Sequence, residues 1–220
     1  KEKKSEREKL IFTNVSRIIP YKGHQFLIEV FYKLSKFRKD LILNIIGDTL
    51  PEYESYLNML KEKVKQYNLQ ESIHFIGFKK NIKNHLCESD FFIHCPISPD
   101  PLPTVIFEAI ESNLPVICTN QGGAYEILDS GKNGLTIDHL SIQKSVESIL
   151  EFIDNTFEQE KNQNMLSFKK QLSEASIKAK FMDPAKAVDF FDNQKKTIAK
   201  NLSKNFTSQN ALREFQLDSE

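Results

Sequence analysis

The sequence carries no excess of either charge and no long apolar run. Lysine and arginine together number 30, aspartate and glutamate also number 30, and the formal net charge is therefore zero. No overall field draws such a chain to nucleic acid or to an anionic membrane, so any anion site must be local. No apolar run in the sequence approaches the roughly 20 residues that a membrane-spanning helix needs.

Cysteine is scarce, and metal-binding spacings are missing. The three cysteines, Cys87, Cys95 and Cys118, lie in apolar contexts and form no Cys-x-x-Cys pair. This pattern favours reduced, buried thiols in a cytoplasmic protein over a disulfide framework or a metal centre. No Asp-x-Asp motif follows a predicted strand, so we expect neither a metal nor another cofactor.

Short β-rich runs alternate with amphipathic segments from Leu10 to about residue 155. This alternation is typical of parallel strands joined by crossover helices. The predicted strands are 10–16, 41–47, 72–77, 90–95, 115–120 and 134–138. The predicted helices are 23–37, 51–68, 81–89, a segment around Glu108, and 124–130. The sequence therefore predicts an α/β fold, a Rossmann-like doubly wound parallel sheet of about six strands.

The two ends of the sequence differ from this central region. Residues 1–9 are charged throughout and are predicted to be a linker or the cut edge of a longer protein. After about residue 139 the chain becomes rich in Lys, Glu, Gln and Ser and is predicted to form charged surface helices. We expect inserted helices at 156–183 and a C-terminal helical extension at 184–220 that packs back on the domain; its start is marked by Asp183 and Pro184.

Polar residues follow the predicted strands, where ligands of open parallel sheets bind. Arg17 and Lys22, in "SRIIPYKG", form a suitable pair for a diphosphate, although two solvated surface charges would have the same sequence. Gly47 and Asp48 follow the second strand and favour a turn.

The turn after the third strand has two readings. Gly77, Phe78 and Lys79 follow this strand in "GFKKN". Gly77 would let the backbone approach a flat ligand, and a plain strand-to-helix turn explains the same residues equally well.

The segment "HCPISPDPLPT" follows the fourth strand. His94 has two readings, a general base or a hydrogen-bonded core residue. Pro103 suits the first turn of a helix, which would leave the amides near Leu102 and Thr104 as donors to an anion.

Two acids, Asp100 and Glu108, bracket this predicted helix start. A loop acid and a helix acid in these places can hold the hydroxyl groups of a ligand whose phosphates lie on the amides. Glu108 lies in an apolar run, so it needs a donor from the fold or a polar ligand unless it lies exposed at the helix edge. After the fifth strand, Gly122 and Gly123 suit a close approach of backbone to phosphate, a weak signal by itself.

Five motifs in this order resemble a known family. They are "SRIIPYKG", "GD" with a following proline, "FIGF", "PDPLPTVIFEAIESNLPVICTNQGGAYEIL" and "GKNGL". Together they resemble the C-terminal, donor-binding domain of GT-B-fold retaining glycosyltransferases of family 4 type, the glycosyl transferases group 1. The resemblance covers about residues 10 to 150 and has a weaker echo near the C-terminal end.

The resemblance implies roles for individual residues. Arg17 and Lys22 match binders of the donor diphosphate, and Glu108 matches the acid that holds the ribose hydroxyls. Asp100 matches the acid that faces the transferred sugar and supports its oxocarbenium-like transition state.

Other positions match the rest of the donor site. The backbone from Leu102 through Pro103 to Thr104 matches donors to sugar and phosphate. The turn from Gly77 through Phe78 to Lys79 matches the base-binding edge. Gly47, Asp48, His94, Gly122 and Gly123 are expected to line the site.

Three positions depart from the family pattern. The first acid is Asp100 instead of glutamate, Pro103 stands where glycine is common, and Ser16 replaces the glycine before Arg17. These departures put the identity of the sugar in doubt more than the nucleotide site.

The expected function is the donor-binding half of a retaining glycosyltransferase. Its donor would be a nucleoside-diphosphate sugar, and its acceptor a polysaccharide, a lipid-linked sugar or another glycan, bound by an N-terminal domain outside this chain. Fixed cations would replace a metal at the departing diphosphate. We expect no nucleic-acid partner and a cytoplasmic location, at the inner face of the membrane in the full-length protein.

Two other functions stay open from the sequence. One is a non-catalytic nucleotide-sugar-binding partner or regulatory subunit. The departures from the family pattern and the predicted charged helices favour this function. The other is a GT-B-fold sugar-nucleotide epimerase, which uses the same fold in a different reaction.

Overall fold

A computed structural model describes residues 9–159 of the chain, with side chains through residue 156. The strands are β1 (Leu10–Val15), β2 (Leu41–Ile46), β3 (Ile73–Gly77), β4 (Phe91–His94), β5 (Val116–Thr119) and β6 (Leu135–Ile137). The helices are α1 (His24–Leu34), α2 (Glu54–Gln66), α3 (Lys83–Glu88), α4 (Val105–Glu111), α5 (Gly122–Ile127) and α6 (Ile142–Gln159). Short 3-10 turns at Pro20–Lys22 and Pro51–Tyr53 precede α1 and α2.

The six strands form one parallel sheet in the order β3-β2-β1-β4-β5-β6. The prediction of a doubly wound α/β sheet is confirmed. From β1 the chain builds outward to β2 and β3, and then returns to place β4 on the other side of β1. The order therefore reverses between β1 and β4, and in such sheets a crevice opens there at the carboxyl ends of the strands.

The middle of the sheet is buried on both faces, as parallel sheets covered by helices are. All four residues of β4 and all four of β5 are buried. The Phe12 ring of β1 stacks on Phe91 of β4 with 4.7 Å between centroids, and the edge of Phe31 from α1 meets Phe12 at 5.3 Å. The apolar stripe predicted for the first helix thus packs on the point where the sheet reverses.

Helix α6 completes this core. Val146, Ile149 and Ile153 recur at helical spacing and are buried, and the helix contacts α1 and β6. The predicted charged helix thus lies at the surface with its apolar side packed inward and Glu151 on its exposed side. No helix within residues 9–159 is both long and apolar enough to cross a bilayer. Beyond α6, the predicted insertion to residue 183 and the helices of 184–220 lie outside the described residues.

Two details of the sequence prediction need correction. Helix α5 starts at Gly122 and ends at Ile127, earlier at both ends than the predicted 124–130, because Asp129 and Ser130 have positive φ angles that end the helix. Of the three free cysteines, Cys95 and Cys118 are buried as predicted, but Cys87 on α3 is exposed. Burial raises the pKa of the Cys118 thiol to about 12.

Candidate functional site

Predicted site residues meet where the sheet reverses. Arg17 and Lys22 follow β1, His94 ends β4, and Asp100 lies in the loop that leads from β4 to α4. Because β1 and β4 are neighbours in the sheet, their loops leave the same edge side by side. The topology thus brings together residues that lie far apart in the sequence.

A glycine joins these two loops. Gly23 has a φ of 75°, and a Cβ atom added there would lie 1.8 Å from the carbonyl oxygen of Cys95. The backbone amide of Ile97 also donates a hydrogen bond of 2.9 Å to the carbonyl of Tyr21. The turn that carries Lys22 is therefore fixed against the loop that carries Asp100.

The loop after β2 lies equally close to β1. Gly47 has a φ of 145°, and a Cβ atom there would lie 1.9 Å from the carbonyl oxygen of Ser16. The amide of Ile18 donates to the carbonyl of Asp48 at 2.8 Å, and the Asp48 carboxylate accepts a hydrogen bond from the Thr49 amide. Both residues therefore shape a turn that supports the segment leading to Lys22, which agrees with the turn favoured from the sequence.

An ion pair and a histidine form the centre of the site. Lys22 Nζ contacts Asp100 Oδ2, and both side chains are largely buried, with 13% and 14% of their surface exposed. His94 Nε2 lies 3.4 Å from the same carboxylate oxygen, and its side chain is 2% exposed. A lysine and a histidine therefore converge on one oxygen of one acid.

The pKa values of these groups follow from this packing. The contact with His94 and then the Lys22 ammonium hold the pKa of Asp100 at about 2, although partial burial acts in the opposite direction. Burial lowers the pKa of His94 more strongly than Asp100 raises it. Near neutral pH Asp100 is therefore a carboxylate and His94 a neutral imidazole.

The glycine pair after β5 touches the Asp100 loop instead of an open space. A Cβ atom on Gly122 would lie 2.7 Å from the amide nitrogen of Asp100, and one on Gly123 would lie 2.2 Å from the carbonyl oxygen of Pro101. The Gly123 amide donates a 2.7 Å hydrogen bond to the Asp100 carbonyl. This amide is therefore already bonded within the fold. The sequence predicted a close approach of phosphate to the glycine pair, but in the structure the loop that carries Asp100 occupies that place.

Other polar groups of this edge have no partner among residues 9–159. The Arg17 side chain is exposed, the Glu108 side chain on α4 is half-buried, and neither makes a hydrogen bond or an ion pair with a described residue. Within the same range the amides of Leu102 and Thr104 donate no hydrogen bond. Pro103 is buried, and its carbonyl accepts a bond from the Ile106 amide as α4 begins. A cation, an acid and two amides are therefore available to a ligand.

The turn after β3 lies beyond β2 on the same edge. Gly77 has a φ of 76°, and no atom lies within 4 Å of an added Cβ, so backbone conformation alone requires glycine there. The Phe78 ring is 71% exposed, and Lys79 is also exposed. The exposed Phe78 ring, beside the uncovered backbone of Gly77, offers a surface on which a flat ligand can stack.

Sequence reasoning missed a polar chain beneath the site. Ser16 Oγ donates to Asn14 Oδ1 at 3.3 Å and lies 3.1 Å from His24 Nε2, while Asn14 Nδ2 donates to the Ile93 carbonyl at 2.8 Å. His24 is fully buried, and burial together with the charges of His94 and Lys22 lowers its pKa to about 4. No motif marks His24, because its role depends on a contact between α1 and the end of β1.

Two side chains that follow β5 also escaped prediction. Thr119 Oγ1 and Gln121 Nε2 each donate a 2.7 Å hydrogen bond to the carbonyl of Pro96. These bonds hold the start of the loop that leads to Asp100. Within residues 9–159, no group of three or more His, Cys, Asp or Glu side chains is placed to hold a metal ion, and the expectation of a metal-free site stays a prediction.

Comparison with known proteins identifies the family of the chain. The family model "Glycosyl transferases group 1" matches residues 1–171. An uncharacterized glycosyltransferase of Methanocaldococcus jannaschii is 32% identical over 123 residues, which are 56% of this chain and 29% of the relative. The chain thus spans less than a third of that relative's length.

Two solved structures have the same fold. One is the C-terminal domain of a glycosyl transferase group 1 family protein (LpcC) from Francisella tularensis, with a TM-score of 0.60 and 25% identity over 68% of this chain and 78% of that one. The other is Anabaena Alr3699/HepE in complex with UDP and glucose, with a TM-score of 0.66 and 21% identity over 92% and 49%. The family model covers most of the sequence, and the fold agrees with it: the chain belongs to the glycosyl transferases group 1 family.

Proposed function

We propose that the chain is the donor-binding half of a retaining, family 4 type glycosyltransferase. It binds a nucleoside-diphosphate sugar and takes part in transfer of that sugar to a polysaccharide, a lipid-linked sugar or another glycan. One observation carries the proposal: the ion pair of Lys22 and Asp100 lies at the reversal of the strand order, beside unpartnered groups suited to diphosphate and ribose.

The diphosphate fits the donors at this edge. Arg17 is exposed and makes no contact with a described carboxylate, and a guanidinium pairs with phosphate oxygens through two parallel hydrogen bonds. The amides of Leu102 and Thr104 precede α4 and add neutral donors. Negative charge grows on the leaving diphosphate as the bond to the sugar breaks, so donors held in place there stabilise the transition state.

The two acids have separate tasks in this proposal. Glu108 is half-buried without a described partner, and a ribose would supply the hydroxyl donors that such a carboxylate needs. Asp100 stays ionised, since its pKa is about 2, and so can face the positive charge that develops on the transferred sugar. The exposed turn from Gly77 to Lys79 would receive the base.

The donor class also agrees with the structural neighbours. Anabaena Alr3699/HepE, which shares the fold, has been solved with UDP-glucose. UDP and UDP-glucose are therefore the first probes, and other nucleoside diphosphates and their sugars follow. The acceptor, its site on another domain, the retention of configuration, the absence of a metal and the cytoplasmic location belong to the proposal.

Calorimetric titration of the chain with UDP, UDP-glucose and inorganic diphosphate tests the donor site. We expect Arg17→Ala to weaken binding of all three by about 10- to 100-fold, since it removes a charged donor to phosphate. Glu108→Ala should weaken binding of UDP and UDP-glucose by a similar factor but leave inorganic diphosphate unchanged, because that probe has no ribose.

Lys39→Ala and Glu71→Ala are matched controls, since both side chains are exposed and precede β2 and β3 at the opposite edge of the sheet. Their affinities should equal that of the unchanged chain. Absence of binding to UDP and to a panel of other nucleoside diphosphates and sugar nucleotides would refute the donor-site assignment.

A further inference from the structure

Asp100 has two possible donors for a single oxygen. Lys22 Nζ and His94 Nε2 both face Oδ2, and only Lys22 is in close contact, because His94 lies 3.4 Å away. Within residues 9–159, no described group donates a hydrogen bond to Oδ1. One carboxylate oxygen can accept from both donors, but in the ligand-free chain only the lysine is close enough to donate.

The proposed function gives Lys22 a second partner. A diphosphate that draws the ammonium toward its own oxygens takes it away from Asp100. The Asp100 carboxylate is largely buried, and such a group without a donor is costly. A second hydrogen-bond donor within the fold, in the place of the lysine, would keep Asp100 ionised and in position.

His94 has the chemistry and the position for this task. It ends a fully buried strand, and its backbone pairs with Cys118 on β5. The imidazole ring is therefore held in place when a ligand binds. A neutral imidazole donates from one nitrogen only, and the carboxylate requires that nitrogen to be Nε2. Both ring nitrogens are buried without a hydrogen-bond partner among the described residues, but Nε2 lies 3.4 Å from Asp100 Oδ2, so Nε2 is the nitrogen placed to donate and Nδ1 then carries the lone pair.

We propose that His94 is the positioning residue for Asp100. When a diphosphate takes Lys22, the contact between His94 Nε2 and Asp100 Oδ2 shortens into a hydrogen bond that holds the carboxylate toward the transferred sugar. The donor-site assignment is a premise of this exchange. Lys22, Asp100 and His24 interact electrostatically with the ring, and the positive charge of Lys22 favours the neutral imidazole. The neighbouring thiols are those of Cys95, which directly follows β4, and of Cys118, which pairs with His94 from β5.

The first test compares two substitutions of the histidine by calorimetric titration of the chain with UDP. His94→Leu removes the donor and should weaken UDP binding by about tenfold. His94→Gln keeps an amide N–H near the position of Nε2 and should bind within about twofold of the unchanged chain. Circular dichroism and thermal unfolding establish that each variant is folded before it is titrated.

A double-mutant cycle separates positioning from a general loss of structure. In an Asp100→Asn background the carboxylate that needs a donor is gone, so His94→Leu should weaken UDP binding by less than about twofold further. The same tenfold loss in both backgrounds would contradict a role through Asp100. So would equal affinities of His94→Gln and His94→Leu, or an unchanged affinity of His94→Leu.

Nitrogen-15 NMR of the histidine ring gives a readout that does not depend on affinity. We expect the Nε2–H tautomer in the ligand-free chain and a downfield shift of that proton as UDP is added. The Nδ1–H tautomer would overturn the assignment of His94 even if UDP binds. Absence of binding to every nucleoside diphosphate would overturn the proposed function and the exchange of Lys22, while the tautomer still decides the contact of His94 with Asp100.

Discussion

Two buried histidines flank the ion pair of Lys22 and Asp100, and both are kept neutral by their surroundings. His24 contacts Ser16, and His94 faces Asp100. A protonated imidazole at either position would lie close to the Lys22 ammonium in a place with little solvent. The site therefore depends on pH through residues that need not touch a ligand.

This arrangement predicts a loss of stability in mild acid. The pKa of His24 is about 4 in the folded chain and about 6.5 when the chain is unfolded. Below pH 6.5 the unfolded chain therefore binds a proton at His24 that the folded chain does not bind. The contribution of His24 to the free energy of unfolding is fully present above that pH and is lost as the pH falls toward 4. The contribution of His24 is about 3 kcal/mol at most, and His94 acts in the same direction.

Urea unfolding between pH 7 and pH 4.5 measures this effect. His24→Gln should give a shallower dependence of the free energy of unfolding on pH than the unchanged chain. Met59→Ala is the control: Met59 is exposed on α2 and has no ionisable group, so its replacement should leave the dependence as it is. Equal slopes for His24→Gln and the unchanged chain would contradict the assignment.

The sequence predicts candidate site residues, but not which of them pair. Arg17, Lys22, Asp100 and Glu108 were predicted from their places relative to the strands and from motif order, and their roles stay predictions. The contact of Lys22 with Asp100 spans 78 positions, and it exists because β1 and β4 become neighbours. A sequence pattern does not show which strands become neighbours, so it cannot show which of these side chains come into contact.

The elements themselves were well predicted where apolar periodicity is strong. All six strands and the helices of residues 9–159 lie where the sequence placed them, with ends that differ by a few residues. The differences occur at turns such as Asp129 and Ser130, whose left-handed backbone depends on contacts rather than on local preference. For α6, the apolar residues at helical spacing predict a helix, but only the structure shows that they pack it onto α1.

The packing of α6 can be tested through its central buried residue. Ile149 is fully buried, so Ile149→Ala should lower the free energy of unfolding by about 2 to 5 kcal/mol through lost contacts and a cavity. Glu151→Ala, on the exposed side of the same helix, should change it by less than about 0.5 kcal/mol. Similar small losses from both substitutions in urea unfolding would mean that α6 does not form part of the core.

At the scale of the whole molecule, the zero net charge means that anions are attracted only by local groups of positive charge. The chain has zero formal net charge, yet Arg17 and Lys22 both follow β1 at one edge of the sheet, where the amides of Leu102 and Thr104 donate no hydrogen bond to a described residue. A small anion is attracted by such a local group, whereas a long polyanion responds to the field of a whole face. We therefore expect this edge of the sheet to bind a diphosphate in preference to a nucleic acid.

This balance predicts that the chain does not bind nucleic acid nonspecifically. At physiological salt we expect no retardation of a random-sequence duplex or of a single-stranded RNA in a gel, even at high micromolar protein concentration. A strongly basic protein of similar size serves as the positive control. Retardation that weakens steeply as salt is raised would contradict the prediction.

The glycine pair after β5 has a consequence for how the domain tolerates change. Gly122 and Gly123 lie against the backbone of residues 99–101, and one amide of the pair binds the carbonyl of the very residue whose carboxylate meets Lys22. A single added methyl group there would push the acid out of line while leaving every strand intact. Such a variant would keep its fold and lose the position of Asp100, so we expect a well-folded protein that no longer binds the proposed donor.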